Sequence, residues 1–247
     1  MKRPLYFISD VHFYLREDAV EQEKTAKVSQ LIDSVIAKQG TLFIVGDFFD
    51  FWFEYGSVVP RSYFNILAKL REMTQAGCKL HYIGGNHDFW LGDFIINNLS
   101  ATVYNKPAEL TIDNKRFYIA HGDGIDPADK GYLFLQKILR NKFFIKLFSF
   151  IPPGLAFNLA KLVSGTSRKY DNNSTEILRQ NRKQLRTFAG EKFAEGFDCV
   201  VLGHYHLPEE YHTGDKTYLN CGDWLKHFTY GVFEEGKLRL EYFKNSD

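Results

Sequence analysis

The chain has 247 residues, 45% of them hydrophobic and 16% aromatic, with a formal net charge of +1. That length suits one α/β domain, or a domain with an insert, and so small a net charge offers nucleic acid no broad field. No apolar run approaches the roughly 20 residues that span a bilayer, no secretory signal precedes the first strand, and Cys78, Cys199 and Cys221 form no C-x-x-C pair, so a cytoplasmic location and buried thiols are expected.

The chain opens "LYFISDVHF". Leu5 to Ile8 reads as a buried strand, with Asp10 and His12 just after it. In extended backbone, positions i and i+2 face one side, so both are expected to aim at one point past the strand's end. Val28, Leu31, Ile32, Val35 and Ile36 recur at helical spacing and predict a helix over about 20–38, ended by Gly40. "TLFIVGDFFDFW" is a second strand running into a loop. Tyr63 to Gln75 reads as a second helix closed by Gly77, and "KLHYIGGNHDFW" repeats the strand-and-loop plan. Strand, helix, strand, helix, strand signals a parallel sheet. From about 101 short strands follow: "ATVYN", "AELTID", "RFYIAHGD", "CVVLGHYH", "KTYLNCGDW", "TYGVFEE" and "KLRLEYF", the last two joined by a hairpin at "EEGK". The expected fold is α/β, with two packed β-sheets flanked by helices.

Between Lys130 and Tyr170 lie eight lysines and arginines and no acidic residue, among many Phe and Leu. Pro152 and Pro153 divide the segment into two helical pieces, and "STEILRQNRKQLRTFAGEKF" is expected to continue as a third helix. The segment reads as an insertion between strands, a helical lid over about 127–195 in a single domain spanning 1–247. Two readings stand: ordinary helices packed on the core, or a basic, aromatic face that meets an anionic, lipid-like ligand or a membrane surface.

Five polar clusters each follow an apolar run: Asp10 and His12; Asp47 and Asp50; Asn86, His87 and Asp88; His121 and Asp123; His204 and His206. In open α/β sheets, sites form beyond the carboxyl ends of strands. Metal ligation accounts for all five clusters at once. His, Asp and Asn without Cys favour a divalent ion such as Mn, Fe, Zn or Ni. The donors exceed what one ion needs, so two ions sharing a carboxylate are expected, an arrangement suited to phosphoryl displacement.

The order D-x-H, G-D-x-x-D, G-N-H-D, H-G-D, G-H-x-H resembles that of the calcineurin-like metallophosphoesterases along the whole chain. The resemblance implies that Asp10, His12 and His206 hold one ion, that Asn86, His121 and His204 hold the other, and that Asp47 bridges them. It implies that Asp50 and Asp88 orient imidazoles or the amide. It makes His87 a catalytic acid or charge stabiliser, with Asp88 counted beside it in the catalytic pair. "GNHDFWLG", "HGDGIDPADKGY" and the basic region near Ser167 are similar to the UDP-2,3-diacylglucosamine diphosphatases of lipid A biosynthesis. That likeness implies cleavage of a lipid-linked sugar nucleotide to UMP and a diacylglucosamine 1-phosphate, with Mn²⁺ as the expected ion. It also implies peripheral association with the cytoplasmic (inner) membrane, and substrate contacts from Asn86, His87, Asp129, Tyr132, Ser167 and His204. Those enzymes commonly carry arginine where this chain has His87. Another phosphodiester or a nucleotide is the alternative substrate.

Overall fold

In the computed structural model, which describes residues 3–56, 58–125, 131, 141–157 and 175–244, the polar clusters gather at the ends of two facing sheets. In chain order the elements are β1 (Leu5–Ile8), α1 (Ala19–Ala37), β2 (Thr41–Val45), α2 (Phe64–Gln75), β3 (Lys79–Ile83), β4 (Ala101–Tyr104), β5 (Ala108–Ile112), β6 (Lys115–Ile119), α3 (Lys142–Phe148), α4 (Thr175–Ala194), β7 (Cys199–Leu202), β8 (Glu209–Thr213), β9 (Lys216–Asn220), β10 (Thr229–Glu234) and β11 (Lys237–Tyr242). The first sheet runs β11-β10-β1-β2-β3-β4, with β1 to β4 mutually parallel. The second runs β5-β6-β7-β9-β8, with β6, β7 and β9 parallel.

Alternation along the strands assigns the layers. Leu5, Phe7, Phe43 and Val45 face the second sheet and pack with Phe117, Ile119, Val201 and Leu219. Their neighbours Tyr6, Ile8, Leu42 and Ile44 face outward onto α1 and α2, meeting Leu31, Ile32, Val35, Ile66 and Leu70. The outer face of the second sheet is covered by α4 through Leu185, Ala189 and Phe193. A buried Leu, Ile, Val or Phe contributes roughly 1.5–3 kcal/mol, so these three apolar layers hold the strand ends in place. Cys78, Cys199 and Cys221 are free and buried within these layers.

Several local expectations acquire a physical reason. Asp18 caps α1 by accepting the Glu21 amide. Gly40 follows the helix, but it is Gln39 that takes the left-handed turn, at φ 51°. Gly40 is needed instead for close approach: a Cβ there would come within 2.9 Å of the Tyr6 ring. Glu235 and Gly236, both at positive φ, make the β10–β11 hairpin turn. β4, whose sequence reads with the later short strands, instead extends the parallel sheet beside β3. β8 gives no apolar sequence signal; it is an edge strand, paired among the described residues with β9 alone.

Candidate metal centre

The site begins where β1 stops. Asp10 and His12 are not extended: their φ angles are 52° and 48°. Asp47, His204 and His206 are also left-handed, at 52°, 69° and 52°. Such backbone costs on the order of 1 kcal/mol per residue, and neighbouring loops must hold it. The Asp10 amide donates to the Gly46 carbonyl, and the His12 amide donates to the Asp47 carbonyl at 2.9 Å. The two residues do converge as expected, through tight turns rather than a continued strand.

Glycines let these loops approach closely. A Cβ at Gly203 would overlap the Ser9 hydroxyl and come within 2.7 Å of Asp10 Oδ2, and one at Gly85 would overlap the Asp47 carboxylate. Asp10 Oδ2 accepts the His204 amide at 2.8 Å and lies 2.6 Å from Ser9 Oγ.

The candidate donor atoms form a continuous cluster. Asp10 Oδ1 lies 3.2 Å from His206 Nε2 and 3.7 Å from His12 Nε2. Asp47 Oδ2 lies 3.8 Å from His12 Nε2 and 3.3 Å from His121 Nε2. Asn86 Oδ1 is 3.1 Å from His121 Nε2. Among the described residues three groups have donor atoms close enough to share an ion: Asp10, His12 and His206; Asp47, His121 and His204; and His12, Asp47 and His87. Among the described residues, Asp10 Oδ1 and His12 Nε2 are buried without a hydrogen-bond partner. Buried polar atoms are ordinarily satisfied, so orphaned donors turned toward a carboxylate-imidazole cluster fit a divalent cation. The His121 tautomer fits too: Nδ1–H donates to the Val45 carbonyl at 2.8 Å, which leaves Nε2 for a ligand.

The charges agree with this geometry. Burial opposes ionisation of Asp10, but His206 and His12 outweigh it and hold the carboxyl well below the usual range. Asp47 is held low in the same way, against burial, by His121 and His87. Burial also opposes protonation of His12, yet the neighbouring Asp10 and Asp50 carboxylates lift it to about 10. His204 goes the other way: burial, reinforced by His121, pushes it down to about 4.

The remaining expected residues divide. Asp50 Oδ1 lies 3.7 Å from His12 Nδ1. Asp88, expected to orient an imidazole or the amide and counted with the catalytic pair, holds backbone instead. Its oxygens accept the amides of Asp47, Phe48, Phe49 and Gly85 and the Tyr82 hydroxyl. It ties the loop after β2 to the loop after β3. His87 donates its amide to Asp47 Oδ1 at 2.9 Å, and its Nδ1–H donates to the Asp50 carbonyl at 2.9 Å. Asp129, Tyr132 and Ser167 lie outside the described residues.

The sequence reading misses Asp223. Its Oδ2 is 2.5 Å from His227 Nδ1 and 4.0 Å from His206 Nδ1, and its Oδ1 accepts the Leu225 and Lys226 amides. The signal was present, since "CGDW" after β9 repeats the glycine-aspartate pair that follows β2.

The expected insert is described in part. Phe148 of α3 packs against Trp90 and Phe53, with ring centroids 4.9 and 5.0 Å away. Phe143 and Phe150 are 69% and 75% exposed, and Phe144 and Leu147 are also exposed. Beside His121 a cavity of about 880 Å³ is lined in part by Phe53, Trp90, Leu91, Ile145 and Phe188. Among the described residues no helix is long and apolar enough to cross a membrane.

The family model for calcineurin-like phosphoesterases matches residues 3–208. The chain is 29% identical, over the whole of both proteins, to the UDP-2,3-diacylglucosamine hydrolase of Porphyromonas gingivalis. It is 26% identical to the UDP-2,3-diacylglucosamine hydrolase of Neisseria meningitidis serogroup B, over 90% of each chain. Among solved structures, Yfce, a phosphoesterase from E. coli, aligns over 98% of this chain and all of its own, with 15% identity and a TM-score of 0.46.

Proposed function

This chain belongs to the calcineurin-like phosphoesterase family, and from that premise we propose that it hydrolyses the pyrophosphate of UDP-2,3-diacylglucosamine to UMP and 2,3-diacylglucosamine 1-phosphate. It is a metal-dependent phosphoester hydrolase. The observation that carries the substrate is the match over the full length of a relative so named. The apolar cavity beside the metal centre supports it, being within the size range of small-molecule sites.

In this reading Asp10, His12 and His206 hold one divalent ion, and Asn86, His121 and His204 hold the other. Asp47, whose Oδ2 lies between His12 and His121, serves both. Manganese is the ion we expect. Two such ions, when bound, lower the pKa of water towards neutral and offset the charge of phosphoryl oxygens. The protein's own groups set the geometry. Asp50 aims His12, the Val45 carbonyl fixes the His121 tautomer, and Asp88 clamps the loops that carry Asp47 and Asn86.

His87 is the proton donor or charge stabiliser for the departing oxygen. Its Nδ1–H is committed to the Asp50 carbonyl, so Nε2 is the atom that faces substrate. Asn86, His87 and His204 border the reacting phosphate. The cavity of Phe53, Trp90, Leu91 and Ile145 takes acyl chain, and the exposed Phe143, Phe144, Leu147 and Phe150 rest on the cytoplasmic face of the membrane. Incubation with UDP-2,3-diacylglucosamine and Mn²⁺ in ¹⁸O-water tests the reading. UMP carrying the label is expected. Absence of UMP rejects the substrate, and label confined to the sugar 1-phosphate rejects attack at the uridine-side phosphorus.

A further inference from the structure

Behind the Asp10–His12 loop lies an ion pair that the chemistry above does not use. Lys24 and Glu21, in the first two turns of α1, are each 5% exposed. Lys24 Nζ donates to the His12 carbonyl at 2.7 Å and lies 3.0 Å from Glu21 Oε1. Much of its remaining surroundings is aromatic, with the Tyr14 and Phe13 ring centroids at 4.3 and 5.4 Å. Glu21 Oε2 accepts the Tyr14 amide at 3.0 Å, and Arg16 Nη2 lies 3.8 Å from Oε1.

Burying two opposite charges is a poor way to stabilise a helix. Apolar residues of similar volume commonly do as well or better. The position of the ammonium suggests its task. His12 is left-handed and lies outside β1, so its buried carbonyl has no partner in the strand ladder, and such acceptors need one. The His12 amide is already held by the Asp47 carbonyl. Lys24 holds the other side of the residue, and two fixed peptide groups determine where the imidazole points. We propose that Lys24 is a positioning residue for His12, with Glu21 cancelling a charge that would otherwise stand unpaired beside a cation site. The inference rests on the reading of His12 as a metal ligand.

The test uses Co²⁺ alone as the probe, titrated into metal-stripped protein. Glu21→Gln with Lys24→Met removes both charges, while the introduced carboxamide oxygen can still accept the Tyr14 amide. This double variant should keep a thermal midpoint near the parent's and bind Co²⁺ about 10–100-fold more weakly, the range typical when a partner behind a ligand is lost. The Co²⁺ absorption bands should shift as well. Parental Co²⁺ affinity in the folded double variant overturns the proposal. If that variant does not fold, Glu21→Gln with Lys24→Gln replaces it, because the shorter amide leaves the carbonyl out of reach. The same two outcomes then decide. If neither folds, the pair is a folding element and the proposal fails. Parental affinity in His12→Ala would instead reject His12 as a ligand, a separate failure.

Discussion

Asp10 and Phe143 lie in regions built on opposite terms. Asp10 is fully buried on left-handed backbone, with one oxygen held by the His204 amide and the other turned into the donor cluster. Phe143 stands 69% exposed on a seven-residue helix whose anchor to the core is the Phe148 ring against Trp90 and Phe53. The first region spends strain and buried charge on fixing a few atoms. The second leaves apolar surface uncovered, which soluble chains rarely do without a partner for it. The contrast separates chemistry from substrate capture. The metal centre should act on any phosphodiester it can reach, and the exposed phenylalanines of the insert should matter only for a lipid.

Asp47→Ala removes the carboxylate placed between both donor groups. Activity on lipid and soluble substrates should fall together by at least about 10³-fold, above the roughly 10²–10³ lost with a single neutral donor. Bound metal, measured by elemental analysis, should fall as well. His87→Gln probes chemistry without ligation: kcat should drop by roughly 10²–10⁴, with metal content unchanged. An unchanged kcat would make His87 a bystander, and lost metal would make it a ligand, as its proximity to His12 and Asp47 allows.

The exposed phenylalanines of the insert should act on lipid alone. Phe143→Ser with Phe144→Ser should raise KM for the diacylated substrate by about tenfold or more and weaken binding to anionic vesicles. Each buried CH₂ is worth about 0.8 kcal/mol. Hydrolysis of bis(p-nitrophenyl) phosphate should stay at the parental rate. Phe148→Ser should behave differently, lowering the thermal midpoint and affecting both substrates, because its ring packs on the loops after β2 and β3.

The smallest effect is on metal loading against pH. Asp10 and Asp47 are held low and carry no proton at neutral pH. His12, lifted to about 10, does carry one. A metal needs the neutral imidazole, so loading at pH 7 should release protons. Affinity should rise with pH up to about 10, by at most about tenfold per unit for each proton displaced. Calorimetry in buffers of different ionisation enthalpy reads this directly.

These regions also differ in how far the sequence discloses them. The ligand clusters are legible because each sits after an apolar strand, four of the five beside glycine, and parallel strands deliver their ends to one edge. The parallel start of the fold, α1, α2 and the "EEGK" hairpin are legible from periodicity and turn residues. The backbone at Asp10 and His12 is not. The amides there are held by carbonyls of Gly46 and Asp47, remote in sequence. The task of Asp88 depends on amides some forty positions away. β8 escapes notice because an exposed edge strand needs no apolar run. In the insert, composition announces a basic, aromatic segment. Only packing distinguishes Phe148, turned to the core, from Phe143, turned to solvent.

The central claim is that both activities run through one two-ion centre. Metal-stripped protein titrated with Mn²⁺ and assayed in parallel on UDP-2,3-diacylglucosamine and bis(p-nitrophenyl) phosphate tests it most directly. The account predicts no turnover of either substrate without metal, and activities that rise together to a plateau at two ions per chain. Turnover of either substrate by the metal-free protein, or a plateau at one ion, would contradict it.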